Sequence, residues 1–248
     1  MNNNPPILEI KDLTKRFGGV VAVDGLSLEI RKKEIVGIVG PNGSGKTTLI
    51  NLICGFSKPD EGVIRLEGKD IGGLSAHRVA KMGIARTFQV LRPFYSVPAC
   101  HNVVLSLLSP RAKKIRHFRR FGQAEQTAMD LMELLGFERR SDAYRPTMTL
   151  PPGYLRRLDI ARAVATEPEL LLLDEPFSEL TSVEAVSVRS ALLKLNSLGL
   201  TILMIEHRFS YIIDIVHRVI GMHEGRSLVQ GTAEKVMEEE RFRKIYYG

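Results

Sequence analysis

The stretch Gly40-Pro41-Asn42-Gly43-Ser44-Gly45-Lys46-Thr47 decides the fold. It fits the pattern G-x-x-x-x-G-K-[ST], whose glycines let the backbone curl so that several N–H groups point at phosphate oxygens. The apolar run Ile35 to Val39 precedes it with the length of a buried strand, and a helical pattern from Lys46 to Gly55 follows. A glycine turn that arose by chance would not need a buried strand before it and a helix after it. The stretch therefore predicts a phosphate-binding loop in an α/β protein with a mainly parallel sheet.

The residues of this loop have separate chemical tasks in binding a nucleoside triphosphate. We expect Lys46 to reach the β- and γ-phosphates and Thr47 to bind Mg²⁺. The helix that begins near Lys46 directs the positive end of its dipole at the phosphates. The predicted cofactors are ATP and Mg²⁺, and the remaining loop contacts are Asn42, Gly43, Ser44, Gly45 and Thr48.

A second group of polar residues follows the apolar run Leu170 to Leu173. Ligand chemistry in open α/β sheets lies at the carboxyl ends of the strands, and Asp174 and Glu175 stand at such an end. We expect Asp174 to support Mg²⁺ and Glu175 to act as the general base on the attacking water. The alternative is a strand-terminal turn helped by Pro176. The phosphate loop favours the catalytic interpretation.

The composition and hydropathy of the chain limit its possible cellular location. It has 248 residues and a formal charge of +7, with 44% hydrophobic residues. No stretch approaches the roughly 18 apolar residues that span a bilayer, and Met1 to Pro6 has no apolar signal core. We therefore expect a cytoplasmic chain whose membrane role comes through a partner. Cys54 and Cys100 form no Cys-x-x-Cys pair, which disfavours a zinc site or a disulfide framework.

The remaining pattern predicts a β-rich start, a helical middle and a return to α/β order. Only one phosphate loop occurs, so the chain is not a tandem of two ATPases. The predicted strands are Ile7–Asp12, Leu26–Ile30, Val63–Leu66, Ile84–Phe88, Leu170–Leu173, Thr201–Ile205, Val219–Met222 and Ser227–Gln230. The predicted helical segments are Val97–Leu150, Val183–Asn196, Phe209–Ile215 and Ala233–Tyr246.

The order of these motifs over nearly the whole chain resembles the ATP-binding cassette (ABC) family. The resemblance implies a P-loop ATPase core with a mainly parallel sheet, an N-terminal antiparallel β subdomain and an α-helical subdomain. It implies one nucleotide-binding domain over residues 1–248. Residues 1–88 and 167–248 would form the core with the β subdomain, and about 89–166 would form the helical subdomain.

The resemblance also assigns roles to single residues. Gln89, at the end of the predicted strand Ile84–Phe88, matches the family glutamine that contacts metal and water. His207 matches the histidine that contacts the γ-phosphate and holds Glu175. Phe17 matches the aromatic residue that stacks on adenine, although a core phenylalanine is an equal alternative, and Val23 is a further predicted nucleotide contact. The implied catalytic set is Glu175, His207, Lys46 and Gln89, and the implied Mg²⁺ ligands are Thr47, Gln89 and Asp174.

Four segments resemble the ATPases of branched-chain amino acid importers in particular. The implied partners are a second ABC ATPase in a homodimer or heterodimer, integral membrane permeases and, indirectly, a solute-binding protein. The chain would lie peripherally on the inner face of the cell membrane. The segments are Phe17–Val23, Gly83–Gln89 with Leu91–Phe94, Arg156–Ala163 and Tyr246–Gly248.

Other ABC functions remain as alternatives. Urea, amide or lipid transporters share some of these segments. A soluble ABC ATPase acting on nucleic acid or ribosomes usually carries two cassettes or a long coiled coil, so no nucleic acid partner is expected. A regulatory cassette that only binds ATP is disfavoured by the intact Lys46, Asp174, Glu175 and His207.

Two segments depart from the family pattern. The signature Leu-Ser-Gly-Gly-Gln, which binds the nucleotide held by the partner cassette, reads Leu150-Pro151-Pro152-Gly153-Tyr154 here. The loop usually written Ser-Ala-Leu-Asp reads Ser178-Glu179-Leu180-Thr181. A serine hydroxyl is missing, and Pro151 and Pro152 carry no N–H. We hypothesise that this chain offers a weakened signature, so that a heterodimer would hold one strong and one weak site.

A basic run from Arg111 to Arg120 places six cations in ten positions. A solvated helix face, contact with anionic lipid head groups and contact with nucleic acid are the three interpretations. The last is weak, because Phe118 and Phe121 alone supply aromatic stacking.

Overall fold

The computed structural model describes residues 5–116, 121–137 and 140–247. Its strands form one sheet of six and one sheet of four. The strands are β1 (Leu8–Phe17), β2 (Val20–Ile30), β3 (Ile35–Val39), β4 (Glu61–Leu66), β5 (Lys69–Asp70), β6 (Ile84–Arg86), β7 (Leu170–Asp174), β8 (Thr201–Glu206), β9 (Arg218–His223) and β10 (Arg226–Gly231).

Helices pack against both faces of the larger sheet. Two short 3₁₀ helices, Thr147–Thr149 and Phe209–Tyr211, supplement them. The α-helices are α1 (Lys46–Ile53), α2 (Ala76–Met82), α3 (Ala99–Leu107), α4 (Pro110–Arg116), α5 (Phe121–Leu134), α6 (Arg140–Tyr144), α7 (Pro152–Val164), α8 (Ser182–Ser197), α9 (Ala233–Glu238) and α10 (Glu240–Tyr247). None of the helices within the described ranges combines the length and the apolar character needed to cross a bilayer.

The six-stranded sheet has the order β10-β9-β3-β8-β7-β6, and its strands are parallel except where β10 meets β9. Every residue of β3, β7 and β8 is buried, because parallel strands are covered on both faces. Val39 lies opposite Glu206, and Asp174 lies opposite Ile205. The phosphate loop after β3 therefore lies at the same sheet edge as the polar ends of β7 and β8.

Side chains from alternate positions of these strands enter two separate hydrophobic clusters. Leu171 and Leu173 pack into the cluster that includes α3, α5, α7 and α8, whereas Leu170 and Leu172 pack with α1 and the smaller sheet. This alternation is the period-2 geometry of a strand. The apolar run that looked uniform in the sequence thus serves two cores.

The smaller sheet, β2-β1-β4-β5, is antiparallel and confirms the predicted β-rich start. The segment between β6 and β7 contains α3 to α7, which matches the helical middle of the chain. The predicted fold class is confirmed.

Three predicted elements were wrong in detail. The helix expected over Phe209–Ile215 is a single 3₁₀ turn at Phe209–Tyr211 followed by turns. The final helix is two helices that meet at Glu239, whose extended backbone (φ −65°, ψ 110°) ends α9. The strand expected to run to Phe88 ends at Arg86, although the Thr87 N–H still donates to Leu172 O at 2.9 Å.

Candidate active site

The phosphate loop is held between β2 and the turn that joins β9 to β10. An ideal Cβ on Gly40 would lie 2.2 Å from the Met222 carbonyl oxygen, and one on Gly45 would lie 2.3 Å from the Ala22 carbonyl oxygen. Gly45 also has a φ of 98°, in the left-handed region that favours glycine. The loop therefore needs glycine at these two positions to fit against the neighbouring backbone.

Lys46 curls back over this loop. Its Nζ donates to the carbonyl oxygens of Gly40 at 2.8 Å and Pro41 at 2.9 Å, and to Ser44 Oγ at 3.3 Å. Burial lowers the pKa of Lys46, and the negative charges of nearby carboxylates, Glu175 foremost, oppose that shift. The ammonium group is thus buried inside the loop beside the acidic ends of the strands.

Asp174 forms a buried ion pair at the end of β7. Its Oδ2 accepts from Arg86 at 2.6 Å, and each of the two side chains is 8% exposed. Arg86 also donates to Asn51 Oδ1 of α1 at 2.6 Å. This arginine was assigned no role from the sequence. It ties β6, β7 and α1 together directly beneath the site.

The structure brings Glu175, Gln89 and His207 together. Gln89 Nε2 donates to Glu175 Oε2 at 3.0 Å, and His207 Nδ1 lies 3.5 Å from the same oxygen. Glu175 has a φ of 47°, and its N–H donates to Ile205 O at 3.1 Å, so the chain turns sharply as it leaves β7. A carboxylate held this way by two neighbours is arranged to accept a proton from a water molecule.

Glu206 is a buried acid that sequence reasoning missed. It ends β8, is 0% exposed and accepts from the Phe177 N–H at 3.1 Å. Burial raises its pKa to about 7, although that hydrogen bond opposes the shift. An acid directly after the wholly apolar Ile202–Ile205 was the signal that could have found it.

Phe17 and Val23 occupy different environments in the β1–β2 hairpin. Phe17 is 53% exposed at the end of β1, with Lys15 Nζ 5.4 Å from the centre of its ring. Val23 is fully buried in the cluster beneath the smaller sheet. Phe17 can therefore offer a free ring face to a ligand, whereas Val23 can contribute mainly through its backbone beside Gly225.

The segment Leu150–Tyr154 forms the start of α7. Pro151 is the N-cap residue, and Pro152 is the first helical residue. The Gly153 N–H donates to Glu184 Oε1 of α8 at 2.9 Å. The Tyr154 ring packs inward, with Arg157 4.2 Å above it and Phe137 edge-on at 5.1 Å. Tyr154 thus acts as a packing residue at the place where the family pattern has a glutamine.

Comparisons with known proteins agree with this geometry. The sequence profile described as "ABC transporter" matches residues 23–178. The chain belongs to the ABC transporter family. It is 36% identical over 255 residues to the high-affinity branched-chain amino acid transport ATP-binding protein BraF of Pseudomonas aeruginosa, with 98% of each chain covered.

Solved ABC cassettes share the fold over most of their length. The ADP conformation of the cassette MJ1267 is 30% identical, with a TM-score of 0.85 over 99% of this chain and 100% of that chain. The cassette MJ0796, a dimer in a post-hydrolysis state with ADP and Pi, is 26% identical, with a TM-score of 0.78 over 91% of this chain and 98% of that chain. The predicted resemblance is confirmed, and the chain is an ABC ATPase.

A cleft of about 910 Å³ opens in this cassette between α2, β6 and the helices α3, α4 and α7. Phe56, Phe88 and Val90 line it and are 58%, 46% and 67% exposed. Asp174 also lines this cleft. An apolar surface of this kind, next to the nucleotide site, is typical of a docking surface.

The basic run divides between structural and exposed positions. Arg111 is structural in the cassette, because its Nε donates to Glu167 O at 2.7 Å and its NH2 pairs with Glu169 at 3.0 Å. Lys113 and Lys114 are exposed on α4. The positions 117–120 lie outside the described residues.

Proposed function

We propose that this ABC ATPase powers a membrane importer for branched-chain or related amino acids. The observation that supports catalysis is the meeting of Glu175, Gln89 and His207 beside the phosphate loop. The support for the substrate class is the name of the relative BraF, a branched-chain amino acid transport protein. Urea, amide or lipid transport is the alternative that a substrate assay would separate.

ATP would bind along Gly40–Thr47, with adenine stacked on Phe17. Binding would exchange the contacts of Lys46 with Gly40 and Pro41 for contacts with phosphate oxygens. The Thr47 hydroxyl, the Gln89 amide oxygen and the Asp174 carboxylate would hold Mg²⁺, because oxygen ligands of this kind are the ones that Mg²⁺ prefers. Bound Mg²⁺ would neutralise charge on the phosphate oxygens.

Glu175 would take the proton of the attacking water. The water oxygen forms a bond to the γ-phosphorus, and the bond from that phosphorus to the β,γ-bridging oxygen breaks, which releases ADP and phosphate. Lys46 and His207 would stabilise the charge that develops on the γ-phosphoryl oxygens. Gln89 would keep the Glu175 carboxylate aimed at the water.

The test is Glu175→Gln in the full chain. We expect ATP hydrolysis to fall by about 100-fold or more, the range for loss of a general base, while ATP binding persists. Glu133→Gln, an exposed position on α5, is the matched control and should hydrolyse ATP normally. Unchanged hydrolysis in Glu175→Gln, or ATP binding that survives Lys46→Ala undiminished, would overturn the proposal.

The permease is the partner that we assign to the apolar cleft. Residues of about 89–166 would move as a helical subdomain during the ATP cycle and pass that motion to the permease. The chain would then lie peripherally on the inner face of the membrane, with a solute-binding protein acting through the permease. Tagged chain should retain membrane subunits, and Phe88→Glu should release them while leaving ATP binding intact. Retention of ribosomes or DNA instead would favour a soluble ABC ATPase.

A second cassette would complete the nucleotide site, and the dimeric state of the related cassette MJ0796 with ADP and Pi supports this arrangement. Because Leu150–Tyr154 departs from the family signature, we propose that a heterodimer holds one strong and one weak site. Glu175→Gln here and the equivalent substitution in the partner should then reduce ATPase activity unequally. Equal losses would contradict the asymmetric arrangement.

A further inference from the structure

One carboxylate joins the starts of two helices. Glu184, in the first turn of α8, accepts from the Gly153 N–H of α7 at 2.9 Å through Oε1. Its Oε2 accepts from the Thr181 N–H at 3.0 Å and from Thr181 Oγ1 at 2.8 Å. The Glu184 N–H donates back to Thr181 Oγ1 at 3.3 Å, which completes a capping box. The two segments that depart from the family pattern, Leu150–Tyr154 and Ser178–Thr181, therefore meet at this one side chain.

Donors are scarce at the start of α7. Pro151 and Pro152 have no N–H, so the Gly153 N–H is the first backbone donor of the helix. A helix of this length carries a partial positive charge at its N-terminus and favours an anion there. The anion at this N-terminus is the Glu184 carboxylate itself.

The approach of Glu184 depends on glycine at position 153. An ideal Cβ there would lie 2.8 Å from Glu184 Cγ and 3.0 Å from Oε1. The same hydrogen bonds from Thr181 and Gly153 lower the pKa of Glu184, which keeps the group ionised. Gly153 is thus shaped to receive a side chain of its own subunit.

We infer that Glu184 is an internal competitor for the signature of this cassette. Its carboxylate holds the Gly153 N–H, and it must move away before this end of α7 can bind the γ-phosphate of ATP held by a second cassette. This inference rests on the proposed function, in which the signature serves the nucleotide of the partner. In this model the Glu184 carboxylate is the group that weakens the signature. Replacing that carboxylate should therefore strengthen the binding of the partner's nucleotide.

The test compares isosteric variants of the full chain in a Glu175→Gln background with Mg²⁺ and ATP. Sedimentation velocity measures self-association, because each phosphate loop then faces the signature of a second copy. Glu184→Gln removes the charge but keeps an oxygen for the cap. We expect the dissociation constant of its ATP-dependent dimer to be about tenfold lower than that of the Glu175→Gln chain, equivalent to about 1.4 kcal/mol. Glu133→Gln, an exposed acid on α5 outside both segments, is the control and should not change the dimer.

The possible outcomes separate this inference from the proposed function. If ATP binds in a Lys46-dependent manner but Glu184→Gln leaves the dimer unchanged or weakens it, the competitor model is wrong and the function stands. If ATP does not bind at all, the proposed function fails first. A thermal melt of Glu184→Gln without nucleotide shows whether the variant folds. Should it unfold, Glu184→Asp, whose shorter carboxylate stays near Thr181 but withdraws from the Gly153 N–H, must reproduce the tighter dimer for the inference to survive.

Discussion

At the residue scale, the site depends on how each charge at the sheet edge is compensated. Asp174 is neutralised by Arg86, and Glu175 is held by Gln89 and His207. Glu206 instead has one oxygen bonded to the Phe177 N–H, and its Oε2 has no hydrogen-bond partner among the described residues. Taking an ionised carboxylate out of water is costly, and this hydrogen bond offsets only part of that cost. The acid therefore favours its protonated form.

Glu206 should make the fold more stable at acidic pH. Its pKa is raised from 4.5 to about 7 in the folded chain, so folding takes up a proton between these values. The free energy of unfolding contributed by this group is present below pH 4.5 and is lost as the pH rises through 7. Glu206→Gln should flatten this dependence and be more stable than the natural chain near pH 8, by on the order of 1–3 kcal/mol.

Chemical denaturation in EDTA between about pH 5 and pH 8 would measure this effect. Glu61→Gln, an exposed acid on β4, is the comparison and should keep the slope of the natural chain. If the Glu206→Gln slope equals that of the natural chain, Glu206 is ionised throughout and the assignment is wrong.

Arg86→Ala should be strongly destabilising. It leaves Asp174 buried and unpaired, which costs about 3–5 kcal/mol when one partner of a buried ion pair is removed. Arg65→Ala breaks a solvent-exposed pair with Glu9 in which Arg65 is 40% exposed, and it should cost much less than Arg86→Ala because water screens the pair. Urea titration of both variants gives the difference, and similar costs would mean that the Arg86 pair is not a structural support.

At the element scale, the parallel strands were predictable because they are short, apolar and bounded by glycine or acid. The runs Ile35–Val39 and Leu170–Leu173 needed no tertiary information. The helix Ala76–Met82 and the two-residue strand Lys69–Asp70 were missed, since neither carries a clear periodic pattern. The 3₁₀ turn at Phe209–Tyr211 was overpredicted as a helix because its aromatic residues pack in different places, Phe209 against α10 and Tyr211 against Phe177.

The candidate site was predictable where motif order placed residues at strand ends. Gln89 and His207 were assigned by that order, and the structure brings both to Glu175. The contact between Gly153 and Glu184 was not predictable, because it joins two residues that lie 31 positions apart on different helices. No pattern in either segment specifies that contact, which follows from the packing of α7 on α8.

The phosphate loop should tolerate no side chain at Gly40. Gly40→Ala places Cβ 2.2 Å from the Met222 carbonyl oxygen, so the loop or the β9 end must shift. We expect weaker ATP binding by about tenfold or more and a loss of stability of about 1–3 kcal/mol, as for other overpacking substitutions. Gly122→Ala in α5, where a Cβ meets no atom within 4 Å, should instead leave ATP binding unchanged. Titration calorimetry would measure both, and normal binding by Gly40→Ala would contradict the close fit.

At the scale of the whole molecule, Arg156 joins three parts of the cassette. From α7 it donates to Phe88 O at 3.0 Å, to Gln89 O at 3.3 Å and to Ser178 Oγ at 3.1 Å. Its side chain is buried, and burial lowers its pKa. One guanidinium group therefore links α7, the segment Phe88–Gln89 that follows β6, and the loop after Glu175.

Arg156→Met should remove the hydrogen bonds between these three parts while leaving ATP binding largely intact. We expect ATPase activity to fall by about tenfold, because Gln89 loses its backbone support, while ATP affinity changes by less than about threefold. Arg78→Met, an exposed position on α2, is the matched substitution and should leave both quantities unchanged. If ATP affinity falls as much as the rate does, Arg156 supports binding rather than the catalytic step.

The strand order also determines when the sheet around the phosphate loop can form during translation. Ile38, just before the phosphate loop, lies beside Ile205 of β8 and Ile220 of β9, so the loop emerges from the ribosome long before its neighbours exist. At about 5–20 residues per second, that wait lasts on the order of ten to thirty seconds. The helices α3 to α7 make their contacts mostly with one another and can form in the meantime. The phosphate loop is therefore synthesised early, but its surroundings are completed only when β8 and β9 have been made. A nascent chain stalled before β8 should not yet retain ATP.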